Sequence, residues 1–75
     1  MEVAVIAANI KATAAEKGVS LTKMFAKLDI RQGLIYDLEK LGKWPSAKIL
    51  FLIADYLDCS VDYLLGRTDR PEVNK

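Results

Sequence analysis

The spacing of apolar residues constrains this chain more than any other feature. Throughout residues 3–65 they recur three and four positions apart, and no stretch alternates apolar and polar residues as a half-buried strand does. The first such set is Val3, Ile6, Ala7, Ile10 and Ala14. Because this spacing places side chains on one face of a helix, the sequence predicts an all-α fold.

Glycine and serine mark the helix ends. A glycine at 18, 42 or 66 can take the left-handed conformation that stops a helix, and a serine at 20, 46 or 60 can cap the next one. The predicted helices span roughly residues 2–17, 20–28, 32–41, 46–57 and 60–65. We therefore predict five helices in one domain, residues 1–66, followed by a flexible polar tail, residues 67–75.

Several classes of protein are excluded by composition. The chain has one cysteine, Cys59, and no histidine, which removes an internal disulfide, cysteine-rich zinc sites and the usual Ser/His or Cys/His nucleophile pairs. The acidic residues Asp55, Asp58 and Asp62 lie along the fourth helix and its exit, as residues of a solvated face do. We expect no enzyme activity, no cofactor and no metal. The early apolar run is too short for a signal peptide or membrane span, so we expect a cytoplasmic protein without a membrane partner.

Positive charge is concentrated in the middle of the chain. The net charge is +1, but Ser20 to Lys48 carries six basic residues against three acidic ones, whereas Ile49 to Lys75 is net negative. The middle third is therefore the candidate surface for a polyanion.

Two short helices, Ser20 to Leu28 and Gln32 to Leu41, are separated by a three-residue turn, as in a helix-turn-helix. The segments GVSLTKMFAKLDI and PSAKILFLIADYLDCSVDYLLGRTD resemble the repressor and Cro-like (XRE-type) family of helix-turn-helix regulators, over about residues 6–69. The resemblance implies a five-helix repressor-like bundle that binds operator DNA sequence-specifically as a transcriptional regulator, with residues 32–41 in the major groove.

By the same resemblance, Ser20 and nearby amides would hold a phosphate. Gln32, Gly33 and Asp37 fall where the family's base-reading residues lie, with Tyr36 between them. The remaining candidates flank the loop after that helix or are basic residues that could neutralise phosphates. The full candidate site is Ser20, Lys23, Arg31, Gln32, Gly33, Tyr36, Asp37, Lys40, Lys43 and Ser46.

Each residue of the third helix has a second interpretation. Gln32 can pair with adenine or be merely solvated, and Gly33 can allow close approach to DNA or be incidental. Tyr36 can pack on a thymine methyl, reach a phosphate or cap the edge of the bundle. Asp37 is repelled by phosphates unless it accepts from cytosine or orients a basic neighbour.

Three positions depart from the family pattern. Phe25 stands where a small Ala is usual, Asp29 stands where Gly is usual in the turn, and Leu41 adds one residue before Gly42. These departures can change how the recognition helix sits. We also expect Trp44 to pin the following loop onto the core.

Apolar surplus on the fourth helix points to self-association. Phe51 and Leu52 cannot both face inward on one helix, so we predict a homodimer seam near the last two helices. The expected partner is double-stranded operator DNA, with no small-molecule effector. The alternative is a protein-interaction module on the same fold, antirepressor or antitoxin-like, which Gly33, Asp37 and the low net charge favour.

Overall fold

The computed structural model describes residues 3–70 and residue 72. Helix α1 spans Val3–Glu16, and α2 spans Leu21–Leu28. Helix α3, Leu34–Tyr36, continues directly into a π-helical turn, Asp37–Leu41; α4 spans Ala47–Tyr56 and α5 spans Val61–Leu65. The described residues contain no strand, and the prediction of an all-α, five-helix fold is confirmed.

The predicted helix ends are found where serine and glycine stand. Each capping serine accepts a hydrogen bond from the backbone N–H three residues later, which satisfies one of the amides that a helix start leaves unpaired. The three glycines have φ between +63° and +78°. These caps are local devices, which is why the sequence identifies them directly.

The core lies between α1 and the other helices. Its largest fully buried side chains come from α1, α2, the π-helical turn, α4 with the residue after it, and α5: Ile6, Ile10, Met24, Phe25, Leu38, Ile53, Leu57 and Leu64. The ring of Phe25, at the position where a small Ala is usual, is therefore part of the core. Burying a side chain of this size contributes about 1.5–3 kcal/mol.

Polar contacts fix α1 against the rest of the domain. The Asn9 side-chain amide donates to the carbonyl of Leu64 at 3.1 Å, near the end of α5. Lys11 Nζ lies 2.6 Å from Glu39 Oε2 in the π-helical turn. Helix α1 is thus tied both to the C-terminal helix and to the segment that follows α3.

The additional residue at Leu41 is absorbed by the π-helical turn. Gly42 and Lys43 both donate their backbone N–H to the carbonyl of Asp37, so the chain makes a wider turn than an α-helix allows. A π-helical turn adds one residue to a helix without breaking it. As a result Leu38 stays in the core, while Leu41 projects outward with 51% of its surface exposed.

Helix α3 begins two residues later than the sequence predicts. The N–H of Leu34 donates to the carbonyl of Arg31 at 3.1 Å, and Gly33 precedes the first helical residue. Gln32 therefore lies in the turn before the helix. The domain boundary at residue 66 and the flexibility of residues 67–75 stay predictions, and Pro71 and residues 73–75 lie outside the described part.

Candidate nucleic-acid interface

The turn between α2 and α3 fixes the angle at which the second helix leaves the first. Asp29 adopts the left-handed conformation (φ +58°), and the N–H of Ile30 donates back to Phe25 at 2.8 Å. Ile30 itself is buried, which anchors the turn in the core. Asp29 thus performs the role usually given to glycine, because a short acidic residue tolerates this conformation better than most.

Three residues of the predicted site are exposed along this segment. Gln32, Tyr36 and Lys40 stand four residues apart, and all three are exposed, Tyr36 with 59% of its surface. Leu34 and Leu38 face the core between them. Gln32 lies in the turn before α3, Tyr36 ends α3 and Lys40 lies in the π-helical turn, so the amide, the phenol and one lysine are open to solvent along consecutive parts of this segment.

Gln32 connects the turn to the beginning of α2. Its Nε2 donates to the backbone carbonyl of Thr22 at 3.0 Å. This bond uses one N–H of the side-chain amide and leaves the other N–H and the oxygen for a further partner. A bidentate pair with adenine needs one donor and one acceptor, so the observed bond is compatible with base reading and holds the side chain in place.

Arg31 and Asp37 form a bidentate ion pair at the start of the recognition helix. Nη1 of Arg31 lies 2.5 Å from Oδ2 of Asp37, and Nη2 lies 3.3 Å from Oδ1. The Asp37 side chain is only 15% exposed, whereas the Arg31 side chain is largely in solvent. Of the roles considered for Asp37, the geometry matches the orientation of a basic neighbour.

Gly33 provides the space for this pair. A Cβ atom at position 33 would lie 2.8 Å from Nη1 of Arg31, closer than real Cβ contacts. The backbone of Gly33 has φ −79° and ψ 6°, which any residue can adopt, so no left-handed conformation demands glycine here. A side chain at position 33 would instead require the Arg31 guanidinium to shift from its observed place.

The two predicted serines of the site are helix caps. Ser20 Oγ accepts from the N–H of Lys23 at 3.3 Å, and Ser46 Oγ accepts from the N–H of Ile49 at 3.1 Å. Both serines are exposed. Each lies at the N-terminus of a helix, α2 or α4, where backbone amides can also meet an anion.

The basic candidates differ in whether an acidic side chain pairs with them. Lys23, Lys40 and Lys43 are exposed, and within residues 3–70 none of them forms an ion pair. Arg31 is the exception, since it is held by Asp37. The lysines can therefore offer their full charge to a phosphate, whereas Arg31 cannot.

Trp44 is exposed, so the prediction that its ring packs onto the core is wrong. Its exposed fraction is 59%, and it lines a cleft of ≈ 200 Å³ beside Lys43. Pro45 and Ile49, which line the same cleft, are partly buried. The sequence feature that could have indicated this exposure is the position of Trp44 in a loop, between a lysine and a proline.

A second exposed area lies on α4, away from the turn that carries Gln32. Phe51 is 62% exposed and Tyr56 is also exposed. A groove of ≈ 270 Å³ runs beside Phe51 and is lined by Ala54 and Val61 as well. The surplus of apolar residues predicted for the fourth helix is thus present at the surface.

Cys59 is buried at the edge of that groove. Burial raises the pKa of the Cys59 thiol above its ordinary value, and Asp58 adds to the rise while Lys17 opposes it. The thiol is therefore held in its neutral, weakly nucleophilic form.

Comparison with known proteins gives one result. A family model described as helix-turn-helix matches residues 10–64, from the middle of α1 to the last turn of α5, and includes α2, the turn and α3 entirely. No curated protein and no solved structure gives a significant match. None of the helices in residues 3–70 is long and apolar enough to cross a membrane.

Proposed function

This chain belongs to the repressor and Cro-like (XRE-type) helix-turn-helix family of DNA-binding regulators, and from that premise we propose that it binds a specific operator as a homodimer. The recognition segment from Gln32 to Leu41 lies in the major groove in this proposal. The major groove is about 12 Å wide and admits a helix, and helix-turn-helix proteins place their second helix there.

The observation that carries the proposal is the exposed face of α3 and the π-helical turn. Gln32, Tyr36 and Lys40 lie on it in succession, above a core that holds Leu34 and Leu38 in place. Gln32 pairs with a base, Tyr36 contacts a thymine methyl group or a phosphate, and Lys40 meets the backbone. A planar amide, an aromatic ring and a cation on one rigid surface supply both direct readout and charge.

Phosphate contacts surround this face in the proposed complex. Ser20 and Ser46 place the amides of α2 and α4 near the DNA backbone, and Lys23 and Lys43 add positive charge beside them. These contacts set the position of the protein on the duplex and are the same for every sequence. Gly33 and Asp37 act indirectly in this interface, because Gly33 leaves space for the Arg31 guanidinium and Asp37 binds it.

The dimer uses the exposed area of α4 and α5. Phe51 and Tyr56 supply apolar surface that a monomer leaves in water, and a two-fold dimer presents two recognition helices to a palindromic operator. The output we propose is repression, because a dimer bound to its operator blocks access to the same DNA. The chain acts in the cytoplasm, without a small-molecule effector.

The alternative of a protein-interaction module loses two of its supports. Gly33 and Asp37 are unusual on a DNA-reading helix, but both are explained by the position of Arg31. The modest net charge does not weaken the DNA interface, since Lys23, Lys40 and Lys43 are exposed and unopposed within residues 3–70.

The test is selection of binding sites from random duplexes by the purified chain, followed by titration of the selected duplex at several salt concentrations. We expect a defined, two-fold symmetric motif and a logarithmic affinity that falls linearly with the logarithm of salt, by about 0.9 per phosphate contact. No enrichment and no binding at low salt would exclude the proposal and favour a protein partner.

A further inference from the structure

The guanidinium of Arg31 occupies the space in which a side chain at position 33 would lie. We propose that Arg31 is a base-reading residue selective for guanine and that Asp37 is its positioning residue. This inference rests on the proposed function, and it assigns to Arg31 a role in specificity in place of the phosphate contact expected from its charge.

The guanidinium of Arg31 lies directly against the backbone of Gly33. A Cβ atom at residue 33 would lie 2.8 Å from Nη1, 3.1 Å from Nη2 and 3.2 Å from Cζ of Arg31. The guanidinium therefore occupies the volume into which any side chain at position 33 would emerge. Since the first residues of a recognition helix contact base edges, Arg31 brings its remaining hydrogen-bond donors to that place.

The remaining donors of Arg31 match guanine. Asp37 takes one N–H from each terminal nitrogen, and the Nε–H edge of the planar group stays available. Guanine presents two acceptors, O6 and N7, side by side in the major groove, and arginine is their commonest partner. Adenine presents N7 beside a donor, so it can satisfy only half of such an edge.

Asp37 makes Arg31 a poor phosphate contact and a good base contact. The carboxylate cancels the charge that would displace counterions, and it lies close enough to repel a phosphate. Asp37 is the first residue of the π-helical turn, and its side chain is largely buried. Both features favour a single orientation of the guanidinium that it binds. Orientation is what a base edge requires, whereas a phosphate can be met by a flexible lysine.

The experiment repeats the binding-site selection with Arg31→Lys, which keeps the charge and removes the planar fork. We expect the wild-type motif to contain one G·C pair in each half-site at which Arg31→Lys loses preference, by about 5- to 150-fold against the other bases. Affinity for nonspecific duplex and the salt slope should not change. Lys43→Ala is the matched control, because it should lower affinity for all sequences and leave the motif intact.

A second measurement distinguishes a direct contact of Arg31 with the base from a purely structural role in supporting the helix. Replacing that guanine by 7-deazaguanine removes the N7 acceptor, and wild-type affinity should fall about 5- to 10-fold, on the order of one hydrogen bond, while Arg31→Ala binds both duplexes equally. Asp37→Asn should relax preference at the same base pair and leave nonspecific binding unchanged or tighter.

The outcomes distinguish the two proposals. An unchanged motif in Arg31→Lys, or equal sensitivity of wild type and Arg31→Ala to 7-deazaguanine, overturns the role of Arg31 and leaves operator binding standing. Preference lost at a different base pair in Asp37→Asn overturns the positioning role. Absence of any motif for the wild type removes the proposed function, and this inference with it.

Discussion

The guanidinium of Arg31 meets the carboxylate of Asp37 through two hydrogen bonds, of 2.5 and 3.3 Å, directly over the backbone of Gly33. This relationship explains two residues that are otherwise unusual in the segment we propose to read DNA. Gly33 leaves room, and Asp37 supplies orientation. The energetic value of an exposed ion pair is small, so its consequence is expected in recognition more than in stability.

Gly33→Ala tests the need for space at position 33. Alanine fits the observed φ and ψ, and it reduces the freedom of the unfolded chain, so stability should be unchanged or higher by up to about 1 kcal/mol. The guanidinium of Arg31 must move, so preference for the guanine should fall as in Arg31→Lys. Thermal unfolding and competition binding measure the two effects.

The double variant Arg31→Lys with Gly33→Ala is the control for that coupling. If Gly33 acts through Arg31, the second substitution adds no further loss of preference. Retention of full guanine preference by Gly33→Ala would contradict the role assigned to Gly33.

Leu38→Ala and Ile53→Ala should each lower the free energy of unfolding by about 2–5 kcal/mol, because each removes a fully buried branched side chain. Gln32→Ala should cost only about 0.5–1.5 kcal/mol, the value of its exposed bond to Thr22. Urea unfolding of the three variants provides the comparison. A loss of several kcal/mol in Gln32→Ala would show a structural role for that residue.

The helices and their caps follow from the sequence because their causes are local. Ser20 caps α2 by bonding an amide three residues away, and Gly42 ends the third helix in the left-handed conformation. The extra residue at Leu41 is also visible in the sequence. Whether a loop or a wider helical turn absorbs it depends on keeping Leu38 in the core, which is a tertiary requirement.

The finer parts of the candidate site could not be predicted in this way. Arg31 and Asp37 are six residues apart, outside the three- and four-residue spacing of helical pairs, and they meet only because a turn precedes α3. Trp44 is exposed although the neighbouring Pro45 is partly buried. In each case the side-chain position depends on neighbours brought together by folding.

The burial of Cys59 predicts a thiol that reacts slowly in the folded protein. Because burial raises its pKa, the folded state holds the thiol proton more tightly than the unfolded state does. The unfolded state therefore binds fewer protons above about pH 8.5, and stability contributed by the neutral thiol is lost as pH rises from there.

Two measurements check this. Alkylation at pH 8 should be slow in buffer and fast in denaturing urea, and Cys59→Ala should show a shallower loss of stability above pH 8.5 than the wild type. Equal alkylation rates in the two conditions would mean that the thiol is open to solvent.

Phe51→Glu should disrupt the proposed dimer without unfolding the domain, because the ring is largely exposed and a buried charge at a seam is costly. Sedimentation of the wild type with its selected duplex should show two chains per operator, and the variant should bind one at a time and more weakly. Ala12→Glu, on an exposed position of α1, is the control. A wild type that binds only as a monomer would contradict the seam.

Gln32→Ala and Lys43→Ala should differ in the kind of effect and not only in its size. Gln32 stands at the start of the exposed face, where its amide can reach a base, so its loss should cost about 1–3 kcal/mol on the selected site and flatten preference at one base pair. Binding to nonspecific duplex should barely change, since no charge is removed.

Lys43 lies beyond the recognition segment, after Gly42 turns the chain away, so its ammonium can meet a phosphate but not a base edge. Lys43→Ala should therefore weaken binding to all sequences by the same factor and reduce the salt slope by about 1 for each half-site. Titrations of selected and scrambled duplexes across a salt series measure both quantities. A Gln32→Ala variant that lost affinity uniformly, with a smaller salt slope, would place its amide on the DNA backbone and leave base reading to other residues of this face.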